Sequence, residues 1–306
     1  MDTQQLKQAI MEEKKRKGVL ILAHTYQDPD ILEIADIVGD SYALSKAAQN
    51  VPQNKVLMCG VRFMAETVKI LSPEKEVLLS HADAGCPMAE QLDPAEVRRY
   101  RETHPDHAVC AYVNTTAQLK ALADVCVTSS SAVEIVSRIP QEDILFIPDK
   151  NLGAYVQAML PQKRIHLMDG CCPVHNAITP QMIEQARRAH PGAKVAIHPE
   201  CPYEAVRLAD VAGSTKEILD FIHGSGDAVI IATERGVYDA LVRQYPNRAL
   251  YQLEPELLTC HDMKKTTLQG VYDALTGKGG QTIELDGQLL SAARGSIENM
   301  LRYGGR

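Results

Sequence analysis

The chain has 306 residues, of which 45% are hydrophobic and 23% charged, the balance of a globular protein with a core to bury. Its 32 Lys and Arg stand against 39 Asp and Glu, a formal net charge of −7. That excludes a general nucleic-acid binder, which needs a basic face, and no apolar run approaches the roughly 20 residues of a membrane span.

The first predicted element is a polar helix over 5–17, with Glu12-Glu13-Lys14-Lys15-Arg16-Lys17 at its end. A secretory signal carries its positive charge first and an apolar stretch second, so this order predicts a cytoplasmic protein. There the eight cysteines stay reduced, and metal binding or catalysis is a better first question than a disulfide framework.

An apolar strand follows from Val19 and ends on Ala23-His24-Thr25-Tyr26, then comes Ala35-Asp36-Ile37-Val38-Gly39-Asp40-Ser41. A strand over 55–59 and a helix over 63–71 lead to Ala84-Gly85-Cys86-Pro87-Met88. The same order then recurs. Asp93-Pro94 opens a helix over 95–104, a capping residue with proline at the first helical position. Next come a strand ending on Tyr112-Val113-Asn114, the run Ala123-Asp124-Val125-Cys126-Val127-Thr128-Ser129, a strand over 144–147, a helix over 152–160 and Cys171-Cys172-Pro173-Val174-His175. Thr179-Pro180 opens a third round with a helix over 181–190, a strand ending on His198-Pro199-Glu200, and Ala209-Asp210-Val211-Ala212-Gly213-Ser214-Thr215. A strand over 228–232 and a helix over 237–245 precede Thr259-Cys260-His261-Asp262-Met263.

His24 to Ser41, Tyr112 to Ser129 and His198 to Thr215 are each 17 residues, with unit offsets of 88 (24 to 112) and 86 (112 to 198). We read a triplication. β-Branched runs alternating with helices of about ten residues predict parallel sheets. The fold class is therefore α/β: three pseudo-symmetric three-layer α/β/α units around a central active site. The expected boundaries are 1–86, 87–172 and 173–260, with a tail over 261–306 that turns at Gly277-Lys278-Gly279-Gly280 and packs on the first unit.

In such sheets ligands bind beyond the carboxyl ends of the strands. His24, Tyr26, Tyr112, Asn114, His198 and Glu200 lie there, and Ser41, Ser129 and Thr215 begin the next helix, where hydroxyl and N–H groups suit an anion. Alone, each hydroxyl reads as a plain helix cap. Three equivalent positions holding different polar side chains read as parts of one site.

The cysteines Cys86, Cys172 and Cys260 repeat with offsets of 86 (86 to 172) and 88 (172 to 260). Loops meeting on one axis would bring three thiolates together, for zinc with an open position or for a [4Fe–4S] cluster with one iron lacking a protein ligand. Spacing leaves both open. Cys59, Cys110, Cys126, Cys171 and Cys201 have no threefold relation and read as structural.

The ordered set Ala23-His24-Thr25-Tyr26-Gln27, Gly39-Asp40-Ser41, Cys86-Pro87-Met88, Tyr112-Val113-Asn114, Cys172-Pro173-Val174-His175, His198-Pro199-Glu200-Cys201-Pro202, Gly213-Ser214-Thr215 and Cys260 resembles the quinolinate synthase family. The resemblance implies a transferase of NAD biosynthesis that condenses iminosuccinate (iminoaspartate) with dihydroxyacetone phosphate to quinolinate, phosphate and water. It implies one [4Fe–4S] cluster per chain, held by Cys86, Cys172 and Cys260, with one open iron as Lewis acid. It further implies substrate binding by His24, Ser41, Tyr112, Val113, Asn114, Ser129, His198, Pro199, Glu200 and Thr215. On this reading Glu200 is the general base, Tyr26 a proton donor or shuttle, and His24 and His198 orient and protonate oxygens. The partners expected are the two small substrates and a transient hand-off from the iminosuccinate-producing enzyme, with no nucleic acid and no membrane. No Cys-x-x-Cys follows Cys260, so redox control through such an element is not expected. A non-catalytic iron–sulfur or zinc sensor is the alternative, since it needs only the three cysteines.

Overall fold

Each Ala-Asp pair of the sequence ties a loop to the strand before it. Asp36 donates its N–H to Ile21 O (2.9 Å), and its carboxylate accepts the Ile21 N–H (2.8 Å). Asp124 does the same with Val109 and Asp210 with Val195. A cation from the helix preceding each strand closes the knot: Lys14 on Asp36 (2.9 Å), Arg101 on Asp124 (3.0 Å) and Arg187 on Asp210 (2.6 Å). The repeated acid is thus a structural device.

The computed structural model describes residues 1–304. Among them thirteen strands run in order: β1 (Val19–His24), β2 (Ile37–Gly39), β3 (Lys55–Cys59), β4 (Glu76–Leu79), β5 (Ala108–Tyr112), β6 (Val125–Val127), β7 (Asp143–Ile147), β8 (Arg164–Leu167), β9 (Lys194–Ile197), β10 (Val211–Ala212), β11 (Val229–Ala232), β12 (Leu250–Gln252) and β13 (Gln281–Thr282). They form three sheets of one topology, β2-β1-β3-β4, β6-β5-β7-β8 and β10-β9-β11-β12, parallel throughout except where β13 adds antiparallel to β4. Helices flank each sheet, so the protein is an α/β structure of layered α/β/α units. The central strands are buried along their length, as β1 and β5 show, which a parallel sheet covered on both faces requires.

The helices leading into β1, β5 and β9 span Thr3–Lys17, Pro94–Thr103 and Pro180–Ala189. Their side-chain caps are Asp2, Asp93 and Thr179, the last two followed by proline. Gly18 closes the first helix at φ 63°, a left-handed position that glycine adopts without strain. The strands β4, β8 and β12 carry no sequence expectation. They are three or four residues long, two of them opening on Glu76 and Arg164, too short and mixed for a period-2 signal.

The chain after 261 serves two units. Val271, Ala274 and Leu275 of helix Leu268–Thr276 join the apolar cluster of Leu6, Ile10 and Ile21. Ala293, Ile297 and Met300 of helix Gly287–Tyr303 pack with Val109, Val127 and Ile135 of the second unit. No described helix is long and apolar enough to cross a membrane.

Candidate active site

The order β2-β1-β3 places a topological switch beside β1, and likewise beside β5 and β9. Ligands of such sheets sit beyond that point. The three switch points open on one cavity. It is lined by His24, Tyr26 and Ser41 from the first unit, Tyr112, Val113, Asn114 and Ser129 from the second, and His198, Glu200 and Thr215 from the third. Cys86, Cys172 and Cys260 line the same cavity. Of the residues expected at the site, only Pro199 is absent from its wall.

The first and third units build their ends alike. His24 Nδ1 accepts the N–H of Tyr26 (3.1 Å), and His198 Nδ1 accepts that of Glu200 (3.3 Å). Each imidazole therefore keeps its proton on Nε2. Burial pushes His24 down to about 3 and His198 to about 4, so both are neutral donors near pH 7.

Glu200 is the hub. Tyr112 donates its hydroxyl to Oε1 (2.6 Å), and His175 Nδ1 lies 2.9 Å from Oε2. Burial raises the Glu200 pKa, but the adjoining histidines and the hydrogen bonds from His175 and Tyr112 outweigh it and lower the group, which stands as carboxylate. With Nδ1–H donated to that carboxylate, His175 Nε2 accepts from Thr233 Oγ1 (2.9 Å). Thr233 lies 3.4 Å from the Tyr26 hydroxyl, which also meets Thr215 Oγ1 at 3.0 Å. One hydrogen-bonded chain thus runs Tyr112–Glu200–His175–Thr233–Tyr26, across all three units. Burial raises both phenols well above their ordinary value, so both are proton donors.

His175 and Thr233 were not singled out from sequence. His175 had a signal: three residues after Cys172 on the short helix Pro173–Asn176, it shares a face with the cysteine. Thr233 follows β11, a strand-end position in the third unit that carries no repeat of the His/Tyr grammar.

The hydroxyls are not the helix caps. Asp40 caps helix Ser41–Gln49 through Ala43 N–H (2.8 Å), and Ser214 caps helix Thr215–Gly224 in a capping box with Glu217. Ser129 precedes helix Ala132–Arg138 by three residues. Neither Ser41 nor Ser129 spends its hydroxyl on another described residue, which leaves both free for a ligand.

Each of the three cysteine sulfurs receives a backbone N–H from the residue three positions on: Ala89, His175 and Met263. Cys86 and Cys172 also begin short helices that open with Pro87 and Pro173. Such donors favour thiolate, whereas burial pushes all three thiols up, Cys260 to about 11. Metal uptake must therefore release protons. Three such sulfurs on one cavity wall form a set that could hold a metal centre. Cys171, partly exposed, turns its N–H to Gln91 Oε1 (2.9 Å) and does not line the cavity. Cys59, Cys110, Cys126 and Cys201 are buried in the cores.

Two buried acids stand behind this set. Burial raises the carboxyls of Asp149, with the Glu200 charge the next cause, and of Glu234. A second histidine group joins His107, just before β5, Asp143, which opens β7, and His166, within β8. Both Asp143 oxygens there already meet the Arg164 guanidinium, so a cation holds that position.

The sequence profile described as "Quinolinate synthetase A protein" matches residues 8–302. The chain is 44% identical to a quinolinate synthase of Caldicellulosiruptor bescii over 99% of its own length and 100% of that protein's. It is 42% identical to quinolinate synthases of Clostridium perfringens and Methanoregula boonei, each over 98% of its own length and 99% of theirs.

Proposed function

The chain belongs to the quinolinate synthase family and forms quinolinate for NAD biosynthesis; from that premise we propose that it condenses iminosuccinate with dihydroxyacetone phosphate, releasing phosphate and water, at a cluster held by Cys86, Cys172 and Cys260. The observation that carries this is one cavity lined by the equivalent strand ends of three units and by all three cysteines. A [4Fe–4S] cluster with three protein ligands would supply a Lewis acid at its open iron for the loss of water.

The chain's own residues do the rest. Ser41, Ser129 and Thr215 offer hydroxyls to carboxylate and phosphate oxygens, two of them at helix N-termini that favour an anion. Neutral His24 and His198 donate hydrogen bonds from Nε2 to substrate oxygens and so orient them. Asn114 hydrogen-bonds the substrate, and Tyr112, Val113 and the turn at Pro199 shape its bed. Glu200 is the base. With its oxygens taken by Tyr112 and His175, it draws a substrate proton through either partner, and Tyr26 returns one at the other end of the chain.

The free thiols and the oxygen-sensitive cluster suit the reducing cytoplasm, with iminosuccinate handed over by the enzyme that makes it. The test is anaerobic reconstitution with iron and sulfide, followed by a quinolinate assay with both substrates. Quinolinate formation that tracks cluster content supports the reading. Tight zinc, no cluster absorbance and no binding of dihydroxyacetone phosphate would favour a metal sensor instead.

A further inference from the structure

We infer that Asp149 and Glu234 are positioning residues that hold the Cys172 and Cys260 loops in ligating geometry before any metal arrives, an inference that rests on the cysteine assignment above.

The three cysteine loops dock on their units in one common way. The first N–H of a helix donates to the carbonyl two residues before the cysteine: Arg62 to Ala84, Lys150 to Gly170 and Arg235 to Leu258, each at 2.8 Å. Before each of these donors stands the helix cap, which is Val61, Asp149 or Glu234. The offsets of 88 (61 to 149) and 85 (149 to 234) follow the repeat.

In the second and third units the cap adds another tie. Asp149 divides its oxygens: Oδ1 accepts the helix N–H groups of Asn151 (2.8 Å) and Leu152 (2.9 Å), and Oδ2 accepts the N–H of Cys172 itself (3.2 Å). Glu234 divides them the same way, Oε2 to Gly236 N–H (2.6 Å) and Oε1 to Cys260 N–H (3.1 Å). Both side chains are wholly buried. Lys264 extends the second tie: its Nζ lies 3.8 Å from Glu234 Oε1 and donates to Tyr26 O at 2.7 Å, joining the cysteine loop to the tyrosine loop. Val61 can make no such bond. Cys86 instead donates its N–H to Glu90 Oε1 (3.2 Å), an exposed residue of its own loop.

Only a carboxylate meets both demands. An amide has one acceptor oxygen, and its NH₂ would face a donor at the other end. A buried acid, costly to keep in an apolar setting, is thereby explained at two of three equivalent positions. Partners of this kind, bonded to a ligand rather than to the metal, typically alter metal affinity by about 10–100-fold.

The experiment uses the full chain in both metal-free and reconstituted forms. Alkylation of each cysteine in the metal-free protein, read by peptide mass spectrometry, should speed up several-fold at Cys172 in Asp149→Asn and at Cys260 in Glu234→Gln, with Cys86 unchanged in both. Asp149→Ser and Glu234→Ser keep a capping oxygen but lose the reach to the cysteine, and should give the same selectivity if the amide variants fold poorly. In the reconstituted protein, release of iron to a chelator should be about tenfold faster in each variant. Rates that do not change, or that rise alike at all three cysteines, overturn the inference. A parent protein that takes up no iron and sulfide would sink the cluster reading while leaving the alkylation result to judge the loops.

Discussion

At the scale of single residues the sharpest choice is between Cys171 and Cys172, neighbours of which one lines the cavity. Cys172 Sγ is 3.4 Å from His175 Nδ1 and receives the His175 backbone N–H, whereas the Cys171 backbone is occupied with Gln91. Cys171→Ser prepared anaerobically should carry the parent's iron and visible absorbance, and Cys172→Ser should carry neither. The reverse pattern would show that the register was read one residue out. The histidines give a pH prediction. His198 is held near 4 against an ordinary 6.5 by burial, so between these values the unfolded chain binds more protons than the native one. Stability from this group is present above about pH 6.5 and is lost as pH falls toward 4. His198→Asn keeps an acceptor for the Glu200 N–H and removes the titration. The difference in unfolding free energy between parent and variant, both metal-free, should therefore change by up to about 1.4 kcal/mol per pH unit across that window. A flat difference would mean that His198 is already charged in the native state.

At the scale of elements, the first and third units meet over a glycine. A Cβ on Gly236, in helix Arg235–Gln244, would lie 2.6 Å from Tyr26 O and 2.7 Å from its Cα, with rigid backbone as the obstacle. Gly236→Ala should displace the Tyr26 loop, cost about 1–3 kcal/mol of stability and lower turnover more than it lowers cluster content. Parent-like thermal unfolding and activity would mean that the loop has room to retreat. Asp210→Ala removes the carboxylate that accepts the Val195 N–H and pairs with Arg187, and leaves the backbone bond to Val195 O in place. It should lower the unfolding free energy by about 1.5–3 kcal/mol without touching the cavity, as measured by denaturant titration. The Ala-Asp pair was legible as a repeat, yet its meaning was not, because a carboxylate tied to a strand two turns away leaves no local pattern. The central strands and the ten-residue helices were legible because their apolar runs and Asp-Pro or Thr-Pro starts are local signals. The edge strands β4, β8 and β12 depend on neighbours for their pairing and carry no such signal. Likewise His24, Tyr112 and Glu200 stood out through the repeat, while Thr233, Asp149 and Glu234 matter through contacts 20 or more residues away that spacing alone does not express.

At the scale of the whole molecule, the triplication explains why the site is central and why it is asymmetric. Equivalent strand ends converge, so each unit contributes, but divergence has given them different tasks: a phenol from the first, a phenol from the second, and carboxylate, imidazole and threonine around the third. In the proposed mechanism the hydrogen-bonded chain from Tyr112 through Glu200 to Tyr26 serves as one proton path. It runs beside the cysteines, with His175 Nδ1 3.4 Å from Cys172 Sγ. The most direct test is the rate of quinolinate formation per cluster in three anaerobically reconstituted variants, one from each unit: Tyr26→Phe, Tyr112→Phe and Glu200→Gln. Each keeps the shape of its side chain and removes only the proton-carrying or charged group. All three should retain the parent's iron content while turnover falls by about 100-fold or more. A variant that keeps both its cluster and near-parent turnover would contradict the account, because the unit carrying it would then stand outside the shared proton path.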